Sequence, residues 1–315
     1  MAAYDRYTAI GAREDLTDVI YDISPTDTPI MSSIGKTKAT SVTHEWQTDS
    51  LAAATTANAL VEGASATEGT ITPTTRLANL TQIVGKTVMV SGTLLASDLA
   101  GRKSEMAYQL AKASAEIKRD IETIITANQG QAAGSSGSTA RKMGSLLSYI
   151  KTNTSKNGTS VTGVDPTTLG VSTRTDGSTR AFTETILKDV IAKVFASGGT
   201  PSALFVSPAQ KQVVSAFTGL AAQRYQVPTS GQATILAGAD LYQSDFGVLQ
   251  IVPNRFMRTR DALILDPEYA ALAYLRPFQT NDIAKVGDSD KKQILAELTL
   301  EVRNEAAHGG AFDLS

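Results

Sequence analysis

The sequence predicts an α+β fold built around one long helix, and three observations carry that prediction. Met106, Leu110, Ala113, Ile117, Ile121 and Ile124 recur at helical spacing through SEMAYQLAKASAEIKRDIETIITAN, residues 104–128. QILAELTLEVR, residues 293–303, alternates like a half-buried strand. No internal repeat runs along the chain, so a solenoid is not expected.

Composition narrows the class of function. The 315 residues suit one large domain or two smaller ones, with 42% hydrophobic residues and a formal net charge of −2. A protein that grips phosphates for its living usually carries a basic excess, and this one does not. The absence of cysteine excludes disulfides, thiolate zinc sites, iron–sulfur clusters and cysteine nucleophiles. The opening MAAYDRYTAIGARED has no apolar core of a signal peptide, and no stretch reaches the ~20 apolar residues of a membrane span. A cytoplasmic site of synthesis is expected.

In chain order, residues 12–23 present Leu16, Val19, Ile20 and Ile23 on one helical face, and Pro25 stops the helix. SPTDTPIMSSIG then reads as an extended arm. Residues 42–51 and 79–91 read as strands, the second rich in β-branched residues. The small, polar segment between them makes a long two-stranded ribbon, which is marginal in water unless it lies on a surface. Ser104 is the expected cap of the long helix, with Glu105 in its first turn. At ~1.5 Å per residue that helix spans roughly 36 Å.

Residues 129–180 are rich in Gly, Ser and Thr and read as loops with one short helix near Met143–Ile150. A compact α/β run follows: a helix over 183–196, the strand ALFV at 203–206, and a helix opened by Ser207-Pro208-Ala209-Gln210, a capping box with proline at the first helical position. FGVLQIV (246–252), DALILD (261–266) and YAALAYLR (269–276) are strands. In 293–303, Ile294, Ala296, Leu298, Leu300 and Val302 face one way, and Glu297, Thr299, Glu301 and Arg303 the other.

The tripeptide GKT occurs twice, at Gly35-Lys36-Thr37 and Gly85-Lys86-Thr87, and invites a phosphate-loop reading. The full loop needs a glycine five residues upstream of the Gly-Lys pair, where this chain has Ile30 and Leu80. Gly85 falls inside a strand pattern, where glycine marks a bulge or a close backbone approach. His44 and His308 are the only histidines, and neither sits in a metal or triad motif. Asp240, Asp245, Asp261 and Asp266 read as turn and cap residues. Glu116 and Asp120 read as part of a charged helix face with Lys112, Lys118, Arg119 and Glu122. Trp46 reads as a packing residue. No catalytic constellation, cofactor site or metal site emerges, and no enzymatic activity is expected.

Three blocks carry a resemblance: REDLTDVIYDISPTDTPIMSSIGKTKATSVTHEWQTDSL (13–51); NLTQIVGKTVMVSGT through SEMAYQLAKASAEIKRDIE (79–122); and LILDPEYAALAYLRPF with IAKVGDSDKKQILAELTLEVRNEAA (263–307). In content and order they resemble the major capsid proteins of tailed bacteriophages, with the Hong Kong ninety-seven-type shell fold. The resemblance implies an N-terminal arm (1–40), an extended β-hairpin loop (41–95), a peripheral domain (96–180 and 258–315) with spine helix 104–128, and an axial domain (181–257). It implies pentamers and hexamers that tile an icosahedral shell around double-stranded DNA. It also implies a separate scaffolding protein, a portal and a decoration protein as partners, with assembly in a host bacterial cytoplasm. No sequence-specific DNA contact and no membrane contact are implied. Because no lysine lies between Lys38 and Lys86, no covalent crosslink from the loop tip is expected. Expected inter-subunit contacts are the ribbon charges Glu62, Glu68 and Arg76, with Arg119 and Glu122 on the spine helix. Three other readings compete: a shell of the same fold enclosing enzymes, as in encapsulin-type compartments, a hydrolase on the axial α/β run, and a tail or fibre component, which long coiled or repetitive segments would favour.

Overall fold

A computed structural model describes residues 26–63, 65, 69, 71–99, 103–158, 163–217 and 240–315. The expected helix over 12–23 and the residue Glu68 lie outside them.

The elements in chain order are α1 (Pro29–Ser33), β1 (Gly35–Lys38), β2 (Thr43–Thr48), β3 (Thr75–Leu80), β4 (Gln82–Ser91), α2 (Gly92–Ala96), α3 (Glu105–Thr126), α4 (Leu146–Tyr149) and β5 (Thr154–Ser155). They continue with α5 (Glu184–Ala196), β6 (Ala203–Val206), α6 (Pro208–Ser215), β7 (Leu241–Ser244), β8 (Gly247–Pro253), β9 (Ala262–Leu265), β10 (Ala270–Ile283), β11 (Ser289–Val302) and β12 (Gly309–Ala311). Side-chain caps fix the starts of the longer helices: Ser104, Thr183 and Ser207 each accept a hydrogen bond from the backbone N–H three residues on.

The long helix α3 packs across a four-stranded sheet ordered β1-β10-β11-β4, in which only the β1–β10 pair is parallel. Ala113, Ile117, Ile121 and Ile125 meet Ile294, Ala296, Leu298 and Leu300 of β11 in one core. The alternation read from 293–303 is present, yet the polar side of β11 is buried as well. Glu297, Thr299 and Glu301 are 4%, 0% and 8% exposed, because the arm and the ribbon root cover them.

A six-stranded sheet, ordered β5-β12-β9-β6-β8-β7, separates this core from a second one. Phe205, Leu263 and Leu265 point into the first core, while Leu204, Val206 and Ile264 point into the second with Leu187, Val190, Ile191 and Val194 of α5. Strands buried on both faces read as unbroken apolar runs, which is why ALFV and ALIL show no alternation. The sheet takes β6, β7 and β8 from residues 181–257 and β5, β9 and β12 from the flanking spans. The two spans therefore share one sheet.

The segment 79–91 is not one strand. It breaks at Thr81, whose N–H donates to the Val42 carbonyl at 2.8 Å. Before the break, β3 pairs antiparallel with β2 over Thr43↔Leu80 to Thr48↔Thr75 to make the ribbon. After it, β4 pairs with β11. Gly85-Lys86-Thr87 thus lies in the four-stranded sheet, not in the ribbon's return strand. Gly85 fills a close approach, since a Cβ there would stand 2.9 Å from the Ile294 carbonyl oxygen. Lys86 donates to Glu116 of α3 at 2.9 Å and lies 3.4 Å from Asp120, and the Glu116 hydrogen bond raises its pKa. The lysine of the apparent phosphate motif is spent on the spine helix.

Candidate inter-subunit surfaces

The ribbon is fastened hard at its root and bare beyond it. Asn79 is fully buried and uses four hydrogen bonds: its Nδ2 donates to the carbonyls of Gly144 (3.1 Å) and Leu300 (2.7 Å), and its Oδ1 accepts from the N–H of Gly144 (2.8 Å) and of Leu80 (2.9 Å). Two residues on, the Thr81 hydroxyl donates to Glu297 at 2.8 Å, and Arg141 donates both to the Thr81 carbonyl and to Glu297. Arg276 takes the other Glu297 oxygen at 2.8 Å. The Tyr149 hydroxyl donates to the Ala78 carbonyl at 2.9 Å while its ring lies 5.9 Å from that of Trp46.

Further along β11, Glu301 accepts from Thr37 of the arm, His44 of the ribbon and Arg303, each at 3.0 Å. Burial pushes the Glu301 pKa up, but those hydrogen bonds outweigh it and the net shift is downward. His44 is therefore a structural partner, as its lack of any motif suggested.

Between Thr48 and Thr75 none of the described residues belongs to a strand. The described part of this loop exposes Leu51, Leu60, Val61 and Ile71 at 98%, 87%, 80% and 91%. They are the four most exposed large apolar side chains among the described residues.

The four expected contact residues that are described stand in different settings. Glu62 lies on this loop and is exposed, without an ion-pair partner among the described residues. Arg76 stands on β3, mostly exposed, with its guanidinium 3.5 Å from Glu45 across the ribbon. Arg119, half-buried on α3, covers the Phe256 ring at 5.5 Å. Glu122 departs from the expectation. It is wholly buried, with Oε1 accepting from the Ile30 N–H (2.9 Å) and from Asn254 (2.6 Å), and Oε2 from the Met31 N–H (2.9 Å). Its carboxylate is engaged inside its own chain. Spacing alone put it on the charged face of the helix; the arm folding back over that face was not visible.

A second exposed patch sits on the six-stranded sheet. Phe195 of α5 and Phe246 after β7 bring their rings to 4.8 Å while staying 49% and 43% exposed, beside Leu241 and Val248. Residue patterning offers no sign of it, because Phe195 sits on the outward side of an otherwise ordinary amphipathic helix.

Among the described residues, no group of three or more His, Cys, Asp or Glu side chains could hold a metal ion, and no helix is long and apolar enough to cross a membrane. His308 is buried, accepting from the Asp266 N–H through Nδ1 (3.3 Å) with Nε2 facing the Tyr269 carbonyl (3.4 Å), and burial pulls its pKa down to about 4. Asp266 caps the turn that follows it. Asp261 is buried beside Arg258, and burial lifts its pKa to about 6. These residues serve the fold.

Comparison with known proteins decides what these surfaces belong to. The family described as SU10 major capsid protein matches residues 3–315. The chain belongs to that family. As a major capsid protein it is a subunit of a tailed-phage capsid shell and a component of the virion. The major capsid protein of Escherichia phage Phieco32 is 27% identical over 338 aligned positions, covering 97% of this chain and 95% of the relative. A chain of the cyanophage A-1(L) capsid asymmetric unit superposes with a TM-score of 0.68 at 12% identity, covering 98% of each chain. One from Microbacterium phage Oxtober96 does so at 0.65 and 12%, covering 99% of each. At such identities the structural likenesses carry the fold, which is the shell fold that the sequence resembled.

Proposed function

We propose that this capsid protein closes pentamers and hexamers into an icosahedral shell around packaged double-stranded DNA, with each ribbon lying on a neighbouring copy. The observation that carries the reading is the loop beyond Thr48 and Thr75, which exposes four large apolar side chains while its root is locked by Asn79, Thr81 and His44. A segment that is rigid at its base and apolar at its reach is built to be covered by another molecule. The arm (1–40), peripheral (96–180, 258–315) and axial (181–257) regions provide the other contacts, and the Phe195–Phe246 patch is the axial surface. A net charge of −2 suits a container that must not hold its DNA tightly. Assembly takes place in the host bacterial cytoplasm with a separate scaffolding protein, around a portal, and with a decoration protein on the finished shell. Glu62, Glu68, Arg76 and Arg119 are the charges offered to neighbours.

The test is to replace residues 49–74 by Asn-Gly, a two-residue turn that suits a hairpin closed at the Thr48↔Thr75 pair. The variant should keep the circular dichroism of the parent and fail to form shells. Shells of normal size from this variant would overturn the role given to the loop.

A further inference from the structure

The ribbon is acidic, and the surface that receives it should be basic. Between Lys38 and Lys86 the chain carries four carboxylates, Glu45, Asp49, Glu62 and Glu68, against one guanidinium, Arg76. Near the described end of the loop, Leu60 and Val61 are largely bare and Glu62 follows them directly. A complementary site therefore needs apolar surface beside an uncommitted cation.

Three grooves among the described residues can be compared on that requirement. The one between α5 and the β7–β8 hairpin is lined by Glu184, Asp189 and Asp245 against Lys188, which is already paired with Glu184. The one at the ribbon root is lined by Asp49 and Glu268 against Arg303, which is held by Glu301. Both would repel an acidic segment. The third, about 280 Å³, runs between β4 and α3 and is lined by Lys86, Met89, Gln109, Lys112 and Glu116. There Lys86 pairs with Glu116 and Asp120, Met89 is 62% exposed on the outer strand of its sheet, and Lys112, one helical turn from Glu116 and attracting its carboxylate, is exposed and makes no ion pair among the described residues.

We propose that the Leu60–Glu62 segment of one copy seats in the β4–α3 groove of a second copy, with Leu60 and Val61 against Met89 and Glu62 paired with Lys112. This rests on the shell reading above and names the partner surface within it. The groove replaces the expected spine partner Glu122, whose carboxylate is turned inward. Such a rim charge pair sets register and salt sensitivity more than raw affinity.

The chain has no cysteine, so a disulfide can be placed without background. Val61→Cys and Met89→Cys are both at exposed positions and should leave folding untouched. Assembled with the scaffold from its own genome and oxidised, the double variant should give a ladder of chain multimers on non-reducing gels, and each single variant should not. Val61→Cys with Phe246→Cys, which puts the second thiol at the acidic groove, should give none. Particles that form without a Val61–Met89 ladder, or a disulfide closed within one chain, would overturn the proposal and leave the shell reading standing. Failure of the unmodified chain to form particles under the same conditions would bring down the shell reading and this inference together. Charge exchange gives an independent reading: Glu62→Lys or Lys112→Glu alone should lower particle yield about tenfold, and the pair together should restore it, as a lost and regained contact of that size requires. Equal yields in all four proteins would also overturn the pairing.

Discussion

Glu122 in the middle of the spine helix accepts the backbone N–H of Ile30, 92 residues earlier in the chain, at 2.9 Å. With the matching bond to Met31, it caps the short arm helix from outside, because Thr28 makes no side-chain cap of its own. This one carboxylate ties the arm to the spine.

Removing it should therefore be costly. Glu122→Ala leaves two buried N–H groups and Asn254 without their acceptor, and should destabilise the chain by about 2–5 kcal/mol in urea unfolding. Glu122→Gln retains one acceptor oxygen and should cost less. Burial, opposed by the three hydrogen bonds, leaves the Glu122 pKa raised, while all three partners are donors that a carboxylate accepts from. Equal losses for both variants would contradict this.

Asn79 predicts an asymmetry between isosteres. Its Nδ2 faces two carbonyl oxygens and its Oδ1 faces two N–H groups. Asn79→Asp puts an acceptor against acceptors in a buried site and should cost more than about 3 kcal/mol at neutral pH, seen as a clear drop in melting temperature. An unchanged melting temperature would show that the ribbon root is not fixed as described.

Gly85 tests the meaning of the second GKT. Gly85→Val forces side-chain atoms towards the Ile294 carbonyl, and should destabilise by about 1–3 kcal/mol. Gly69→Val, where an added Cβ meets nothing within 4 Å, should change stability by less. A phosphate-loop role would instead appear as heat when the parent chain is titrated with ATP and magnesium, and none is expected.

The buried His308 makes a pH prediction. Its folded pKa, about 4, lies below the ordinary histidine value, so the fold binds the neutral ring. The stability this contributes is complete above pH 6.5 and is lost as pH falls from there towards 4. In a proton NMR titration its imidazole resonance should stay at the neutral position down to about pH 5, with His44→Gln identifying which of the two histidines it is. A midpoint near 6.5 would mean the ring is open to water.

Much of this was legible in the sequence because local rules and packing agreed. The spine helix begins at its predicted cap, Ser104, and ALFV, GVLQIVP and ALIL are strands where apolar runs and turn residues bounded them. Gly85 could be read as a close approach because glycine in a strand has few other uses. The failures came from distance. The break at Thr81 depends on Val42, Arg141 and Glu297, none of them local. The polar edge of β11 looked solvent-facing because alternation reports two faces and not what covers each. Glu122 looked like a surface charge for the same reason. Lys112 was read only as part of a charged face, and it took the pairing of Lys86 with Glu116 and Asp120 to show it as the exposed lysine of that groove with no ion pair among the described residues.

Assembly of the purified chain tests the central claim most directly. Sedimentation velocity with negative-stain electron microscopy, on the chain alone and with the scaffolding protein of its own genome, should reveal capsomer rings or closed icosahedral particles. A chain that stays monomeric at every concentration, with that scaffold present, would contradict the account.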